Sequence, residues 1–314
     1  MIEGMTMLYC DTRLGGVKRW VLGDPKEIKM RVPEPIRDCA CFLCTQRRDN
    51  GNPIYEYRGT AFFVSMPSDE MAGVEHLYLI TAKHNIEKAK EKGDLFVRLN
   101  KTSGGVEFIK VASEWVYPDN DASDVAILAA DFGEEYDFSY LPSEMFVTED
   151  IIAETGIGIG DELVITGLFT ERYGEQKNLP IVRFGNISAM PSEPLRDKDS
   201  GLMYDAYLAE MRSIGGLSGS PVFVILHPGR HVPAGYVVVE TTYYLLGLIR
   251  GHWDYTTRES VLDYTEDESR TVNMGIATVS PIQDVLTILD SKELKKERRA
   301  ADNRLRDKHS PTLD

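Results

Sequence analysis

Three short motifs contain the residue types that carry out nucleophilic attack on a carbonyl group. In chain order they are Thr81-Ala82-Lys83-His84, Asp121-Ala122-Ser123-Asp124-Val125 and Gly215-Gly216-Leu217-Ser218-Gly219-Ser220-Pro221. A histidine can accept a proton, a carboxylate can orient the imidazole ring, and a serine hydroxyl on a glycine-rich turn can attack the carbonyl carbon. The motifs therefore predict a catalytic triad of His84, Asp124 and Ser218 for acyl transfer.

The oxyanion hole is predicted on the same glycine-rich turn as the nucleophile. Such a turn carries little side-chain bulk, so the backbone N–H groups of Gly216 and Ser218 can converge on the developing negative charge. The segment could instead be an ordinary flexible turn, because glycine and serine favour turns by themselves. The Pro221-Val222-Phe223 sequence that follows indicates the start of a strand and favours the catalytic interpretation.

Other acidic and histidine residues compete for the two supporting roles. Asp119 and Asp121 precede Asp124, but only Asp124 is followed directly by an apolar run, residues 125–128, that would bury its surroundings. His84 is preferred because it ends an apolar strand, where a base can face a crevice. The remaining histidines lie in front of a strand, in loops or near the end of the chain: His76, His227, His231, His252 and His309.

Short β-prone runs, separated by turn-forming residues, recur along most of the chain, as is typical of antiparallel sandwiches and barrels. The first six cover residues 39–44, 60–66, 76–82, 95–99, 106–111 and 124–130, and a short helix is expected at 85–92. The second six cover residues 162–169, 181–190, 204–211, 220–225, 241–249 and 272–279. We therefore predict an all-β fold of two antiparallel six-stranded β-barrels with a C-terminal helix. The catalytic site would lie in the crevice between the barrels.

The predicted domain organisation follows these two series of strands. It comprises an N-terminal lead-in (1–34), a first barrel (35–135), a linker (136–155), a second barrel (156–280), a C-terminal helix (281–299) and a flexible tail (300–314). Ser280 is the expected N-cap of the helix, with Pro281 in its first turn. The basic residues 295–299 could alternatively form a partner-binding helix.

The order of the three groups restricts the type of catalytic site. His84, Asp124 and Ser218 are separated by 40 and 94 residues. Chymotrypsin-type sites run His, Asp, Ser, whereas subtilisin-type and α/β-hydrolase sites use other orders. An α/β-hydrolase would also need glycine where Ser220 stands.

Four segments of the chain resemble the marker segments of trypsin-like serine peptidases. They are Gly59-Thr60-Ala61-Phe62-Phe63-Val64, Leu79-Ile80-Thr81-Ala82-Lys83-His84, Ser123-Asp124-Val125-Ala126-Ile127-Leu128 and Gly216-Leu217-Ser218-Gly219-Ser220-Pro221-Val222-Phe223. The resemblance covers residues 35–290, and the Ser-Gly-Ser-Pro-Val-Phe form is similar to the bacterial glutamyl-endopeptidase branch. It implies an endopeptidase that acts on protein or peptide substrates and needs no cofactor or metal. Two alternatives remain open: a catalytically silent peptide-binding module and an esterase that uses the same triad.

The resemblance also implies where the primary specificity pocket would lie. Arg212 falls at the base of the pocket, and Gly247, Ile249 and Arg250 fall on the strand that forms its wall. Two arginines there would favour an acidic residue before the scissile bond, through bidentate pairing. Alternatively, one or both arginines point to solvent. Ile249 takes the place of a histidine that is usual in the glutamyl-endopeptidase branch.

Composition argues against several classes of partner. The formal charge of −15 and the pI near 4.9 are unfavourable for binding nucleic acid or an anionic membrane surface, because both need clustered lysine and arginine. The sequence shows no recognisable signal peptide and no apolar run of the ~18 residues that a membrane span requires. These features predict a cytoplasmic protein.

Two further features are assigned structural roles rather than chemistry. The chain has four cysteines, Cys10, Cys39, Cys41 and Cys44; a zinc site is conceivable, but the 39–44 segment resembles a buried strand, so free thiols are expected. The Gly156-Ile157-Gly158-Ile159-Gly160 run lacks dinucleotide-loop spacing and precedes a predicted strand, not a helix.

Overall fold

The computed structural model describes residues 32–197, 200–211, 216–257 and 270–309. Within these ranges the chain is mostly β-structure, with sixteen strands and five α-helices. The helices are α1 (Glu34–Asp38), α2 (Lys83–Lys90), α3 (Glu149–Thr155), α4 (Ile282–Leu289) and α5 (Lys292–His309), and 3₁₀ turns cover Ser143–Met145 and Thr170–Arg172. Among these described helices, none is both long and apolar enough to cross a membrane.

The first half of the chain forms one eight-stranded sheet. Its strands are β1 (Ala40–Asp49), β2 (Asn52–Pro67), β3 (Glu75–Thr81), β4 (Leu95–Lys101), β5 (Val106–Lys110), β6 (Ala126–Ala129), β7 (Tyr136–Asp137) and β8 (Leu141–Pro142). Six of them are antiparallel neighbours in the order β5-β4-β1-β2-β3-β6, while β7 pairs with β4 and β8 lies parallel to β2. All six strands predicted here are present.

The second half contains a closed six-stranded barrel. Its strands are β9 (Glu162–Gly167), β10 (Ile181–Ala189), β13 (Tyr207–Glu210), β14 (Pro221–Leu226), β15 (Thr242–Thr257) and β16 (Arg270–Pro281). They close in the order β10-β13-β16-β15-β14-β9 with every neighbouring pair antiparallel. A small hairpin of β11 (Leu195–Arg196) and β12 (Met203–Tyr204) stands outside the barrel. The prediction of a six-stranded antiparallel barrel is confirmed for this half.

The segment predicted as a linker, 136–155, contains regular structure. β7 and β8 join it to the first sheet, and α3 occupies its end, with the Thr148 hydroxyl accepting a hydrogen bond from the Ile151 amide. Leu141 is fully buried and pairs with Val64 of β2. Acidic residues and Pro142 suggested a linker, but the apolar residues between them anchor the segment to the sheet.

β2 is buried on both faces, which explains the unbroken apolar run at its centre. Ala61 and Phe63 pack into a core that belongs to the first sheet. Phe62 and Val64 point to the opposite face, because successive side chains of a strand alternate. They join a larger core that they share with the strands of the barrel. The two halves of the protein are therefore packed against each other through a continuous apolar interior.

A buried arginine adds a polar contact between the halves. Arg98 on β4 is 1% exposed, and its guanidinium donates to Asn178 Oδ1 at 2.8 Å. It also donates to the backbone carbonyls of Tyr173, Gly174 and Glu175. Burial lowers the pKa of Arg98. Arg98 thus contributes four hydrogen bonds that hold the loop between β9 and β10 against the first sheet.

The C-terminal region is helical, as predicted, but its boundaries differ. Helix α4 begins at Ile282 with Pro281 as its N-cap, so Ser280 does not cap it. Ser280 instead pairs with Leu248 in the barrel. The last helix, α5, continues to His309, although a flexible tail was expected from residue 300.

Buried polar side chains hold α5 on the first sheet. Arg298 donates hydrogen bonds to the Tyr78 hydroxyl (3.0 Å) and the Leu289 carbonyl (2.9 Å). Asp302, only 1% exposed, accepts a hydrogen bond from Ser68 at 2.8 Å. These contacts explain why a sequence as polar as residues 300–309 is ordered as a helix.

Three of the four cysteines lie in the described part of the chain. Cys39, Cys41 and Cys44 are buried free thiols at the start of the first sheet. Burial raises the pKa of each thiol, that of Cys44 to about 12. Cys10 lies outside the described residues.

Candidate active site

His84 and Asp124 are brought together by two neighbouring strands. His84 lies in the first turn of α2, directly after β3, and Asp124 lies just before β6. Because β3 and β6 are paired, with Thr81 opposite Ala126, the histidine and the aspartate emerge side by side. The apolar strands that flank both residues fix this placement.

The Asp124 carboxylate contacts His84 through both of its oxygens. Oδ2 lies 2.7 Å from the imidazole Nδ1, and Oδ1 accepts a hydrogen bond from the His84 backbone amide at 2.9 Å. Asp124 is 8% exposed, whereas the His84 side chain remains 25% exposed. The carboxylate therefore fixes the ring orientation and favours the proton on Nδ1, which leaves Nε2 as the acceptor.

The competing aspartates are placed elsewhere. Asp119 and Asp121 are exposed at the surface, and the Asp121 carboxylate lies 3.7 Å from the Lys83 ammonium group. Of the three aspartates, Asp124 is the one that contacts the imidazole of His84.

Ser218 lies on the turn that leads into β14, and its backbone is bound to the first sheet. The Ser218 carbonyl accepts hydrogen bonds from the Thr60 amide (3.0 Å) and from Asn85 Nδ2 (2.9 Å). Asn85 is the residue that follows His84. The nucleophile turn is therefore tied directly to the helix that carries the histidine.

Two glycines allow the turn to approach the first sheet so closely. Gly219 has φ +82°, and a Cβ atom there would collide with the Thr60 carbonyl oxygen and the Thr81 hydroxyl. Gly216 has φ +95°, and its carbonyl accepts a hydrogen bond from the Thr60 hydroxyl at 2.9 Å. Residues with side chains rarely adopt this left-handed backbone conformation, so the glycine pattern in the sequence has a direct structural cause.

The polar groups that would do the chemistry are not engaged by other residues. Within the described ranges, the Ser218 hydroxyl makes no hydrogen bond to the His84 ring, and His84 Nε2 has no partner. In the same part of the chain, the backbone amides of Gly216 and Ser218 donate no hydrogen bond. An acceptor on His84 and, on the Ser218 turn, a hydroxyl and two amide donors are therefore without partners among the described residues.

The residues predicted for the specificity pocket have different surroundings. Arg212 lies outside the described residues. Gly247 and Ile249 are buried in the barrel on β15. The Arg250 side chain is 16% exposed and pairs with Asp197 at 2.9 Å. Arg250 therefore neither points freely into solvent nor carries an uncompensated charge.

Sequence reasoning did not identify Thr60 and Asn85 as site residues. The Thr60 hydroxyl accepts a hydrogen bond from the Leu168 amide at 2.8 Å while it donates to Gly216. Thr60 and Asn85 both stand inside or beside the marker motifs, next to Gly59 and His84. Their position within or beside these motifs was the available signal.

No protein-family model matches the sequence, and no curated protein matches it either. The described residues bring together no group of three or more histidine, cysteine, aspartate or glutamate side chains that could hold a metal ion. A functional assignment must therefore come from the geometry of His84, Asp124 and the Ser218 turn.

Proposed function

We propose that this protein is a serine endopeptidase that hydrolyses peptide bonds through His84, Asp124 and Ser218. The observation that carries the proposal is the two-point contact of the Asp124 carboxylate with His84, at 2.7 Å and 2.9 Å. The hydrogen bond from Asn85 to the Ser218 carbonyl supports it, since it places the serine turn beside this pair. A structural ion pair alone would not require a glycine-rich turn with free amides at the same position.

In the proposed mechanism, Ser218 Oγ attacks the scissile carbonyl carbon as its proton moves to His84 Nε2. Asp124 stabilises the imidazolium, and the amides of Gly216 and Ser218 donate to the oxyanion. The C–N bond then breaks, and His84 gives the proton to the leaving amine. A water molecule, deprotonated by His84, hydrolyses the acyl-enzyme and regenerates the Ser218 hydroxyl.

The proposed mechanism needs a hydrogen bond between the Ser218 hydroxyl and His84 Nε2, which is not among the contacts of the described residues. Catalytic hydrogen bonds commonly tighten only in the complex with substrate. The His84 side chain is 25% exposed and Ser218 is half-buried. The proposed reaction therefore requires that the hydroxyl and the imidazole come within hydrogen-bond reach of each other.

A double-barrel architecture belongs to the same proposal. Beyond β5, Val116 forms a two-way backbone bridge with Ile127 of β6, with hydrogen bonds of 2.7 Å and 2.9 Å. This bridge supports the proposal that the first sheet curls towards closure, in which case the site would lie between two barrels. A protein or peptide substrate and a cytoplasmic location are proposed from the sequence.

Active-site labelling tests the function directly. We expect a biotinylated fluorophosphonate to modify the wild type once, at Ser218, and not to modify Ser218→Ala. Peptidase turnover, measured with a fluorogenic peptide library, should fall at least ~10³-fold in Ser218→Ala and in His84→Ala. Ser113→Ala and His231→Ala are matched controls, because both residues are exposed, and they should retain wild-type labelling.

The same experiment separates the alternatives. Labelling at Ser218 together with ester hydrolysis but no peptide hydrolysis would assign an esterase. Peptide binding without labelling would assign a silent binding module. Near-normal peptidase activity in either triad variant would contradict the proposed mechanism.

A further inference from the structure

The segment that carries Asp124 is held from the other half of the molecule. The Ser123 hydroxyl donates to Asp284 Oδ2 at 2.6 Å, and Asp284 lies in the first turn of α4. The carbonyl of Ala122 accepts a hydrogen bond from Arg250 Nη1, also at 2.6 Å. Both residues that precede Asp124 in the chain are therefore bound by side chains from the C-terminal half.

Arg250 is itself rigidly placed. Its Nη2 pairs with Asp197 at 2.9 Å, and its guanidinium carbon lies 3.8 Å above the centre of the Tyr204 ring. Arg250 follows Ile249 in the chain. The Ile249 carbonyl accepts a hydrogen bond from the Gly219 amide, and the Ile249 amide donates one to the Ser220 carbonyl. One side chain thus links the Asp124 segment to the strand beside the nucleophile.

Asp284 lies in a partly desolvated position. Burial raises its pKa, the hydrogen bond from Ser123 lowers it, the nearby carboxylate of Asp205 raises it and Arg250 lowers it. Ser123 itself is 4% exposed. A partly buried hydrogen bond to a carboxylate is stronger than one that is fully exposed to water, so it can restrict the backbone of residues 122–124.

We propose that Asp284 and Arg250 are positioning residues for the Asp124 carboxylate, and that the catalytic acid–base pair is oriented only when the C-terminal half is docked. This inference rests on the proposed function. Asp124 binds His84 through two oxygens, and a shift of about 1 Å in a catalytic group can slow a reaction about 100-fold. The contacts at Ala122 and Ser123 resist such a shift because they flank Asp124 directly.

The test measures both the orientation of His84 and the reactivity of Ser218. In ¹⁵N-histidine-labelled protein, the Nδ1 proton shared with Asp124 gives a downfield ¹H NMR signal that reports their hydrogen bond. We expect Asp284→Ala and Ser123→Ala each to shift or broaden this signal and to slow fluorophosphonate labelling by roughly 10-fold to 100-fold. Asp284→Asn keeps an oxygen acceptor for Ser123 and should restore most of the signal and the rate.

Two further comparisons sharpen the test. The double variant Ser123→Ala/Asp284→Ala should be labelled at the same rate as the slower single variant, within about twofold. Each substitution removes the same hydrogen bond, so the two effects should not add. Arg250→Lys keeps the charge but cannot bridge Ala122 and Asp197, so it should also shift the NMR signal. Gln283→Ala, an exposed change in the same helical turn, is the matched control and should leave both readouts unchanged.

The outcomes distinguish this inference from the proposed function. An unchanged Nδ1 proton signal in folded Ser123→Ala and Arg250→Lys would overturn the positioning role, whatever the activity. A wild type that shows no labelling but whose NMR signal responds as expected would contradict the peptidase proposal and support the positioning of Asp124.

Discussion

At the scale of single residues, the contact between Asn85 and Ser218 directly links the two segments that carry the proposed histidine and serine of the triad. Asn85 is 2% exposed, and its Nδ2 donates to the Thr81 hydroxyl at 3.1 Å as well as to the Ser218 carbonyl. The side chain also fills the space beside Gly59, where a Cβ atom would collide with its amide. The residue after His84 therefore binds the backbone of Ser218, the proposed nucleophile.

Replacing Asn85 is expected to affect both stability and reactivity. Asn85→Ala removes the donor to the buried Thr81 hydroxyl and one of the two donors to the Ser218 carbonyl, which costs about 1–3 kcal/mol of unfolding free energy, and fluorophosphonate labelling should slow roughly 10-fold or more. Asn85→Asp should be more damaging, because a carboxylate oxygen would face the Ser218 carbonyl oxygen. Urea unfolding and labelling rates measure the two effects, with exposed Lys88→Ala as the control. Equal unfolding free energies and labelling rates for Asn85→Ala and Lys88→Ala would contradict the role of Asn85 in holding the Ser218 turn.

The sequence predicted those parts of the candidate site that have a local signature, and it did not predict the contacts between residues far apart in the chain. His84, Asp124 and the glycines around Ser218 have local signatures, since each lies where an apolar strand starts or ends. The hydrogen bonds of Asn85 to Ser218, of Ser123 to Asp284 and of Arg250 to Ala122 join residues 133, 161 and 128 positions apart. Nothing in the neighbouring sequence specifies these partners, so their roles required the structure.

At the scale of elements, the loop between β9 and β10 depends on Arg98. The guanidinium is buried without a carboxylate acceptor among the contacts described above, and backbone carbonyls and Asn178 satisfy it instead. Arg98 thus supplies donors to the carbonyls of Tyr173, Gly174 and Glu175, which follow the 3₁₀ turn in this loop. The strand that contains Arg98 was predicted from its apolar residues, whereas the loop contact was not.

Arg98→Leu is expected to destabilise the protein by about 3 kcal/mol, because three partly buried carbonyls and the buried Asn178 amide oxygen would lose a donor. Arg98→Lys should recover only part of this loss, since three N–H groups on one atom cannot reach the same set of acceptors. Unfolding in urea gives the free energies, and exposed Arg48→Leu is the matched control. A change within about 0.5 kcal/mol of that control would show that the loop is held by other contacts.

The elements that the sequence predicted least well are those stabilised by distant polar partners. The strands were recognisable from their apolar residues, which are buried when a strand pairs with its neighbours. Residues 300–309 are polar, and their helical order depends on Asp302, whose partner Ser68 is 234 positions away. Likewise, β8 depends on pairing with β2 rather than on its own two residues.

At the scale of the whole molecule, the buried thiols make the unfolding free energy depend on pH in the alkaline range. Burial raises the pKa of Cys39, Cys41 and Cys44 above the unfolded value of 9.0. Between that value and the folded pKa, which is about 12 for Cys44, the native state holds more protons than the unfolded state. Stability should therefore be fully present below about pH 9 and fall as the pH rises.

A single thiol can be tested by comparing two core variants in reducing buffer. The difference in unfolding free energy between the wild type and Cys44→Ala should be about 1.4 kcal/mol smaller at pH 10 than at pH 8. The wild type loses this stability because the thiol ionises in the unfolded state, and the variant has no such thiol. Val97→Ala, at a buried neighbouring position without a titrating group, should show a constant cost. If the loss of unfolding free energy caused by Cys44→Ala were also independent of pH, the thiol would ionise equally in the folded and unfolded states.

The contacts of Asp284 with Ser123 also have a consequence for the time at which the protein becomes active during synthesis. A ribosome adds about 5–20 residues per second, so the 161 positions between these residues correspond to roughly 8–32 s of translation. During that interval the segment that carries Asp124 lacks its partners from α4 and β15. Under the proposed function, a nascent chain would thus be unable to cleave itself or its neighbours, and the proposed activity would arise only after residue 284 has left the ribosome.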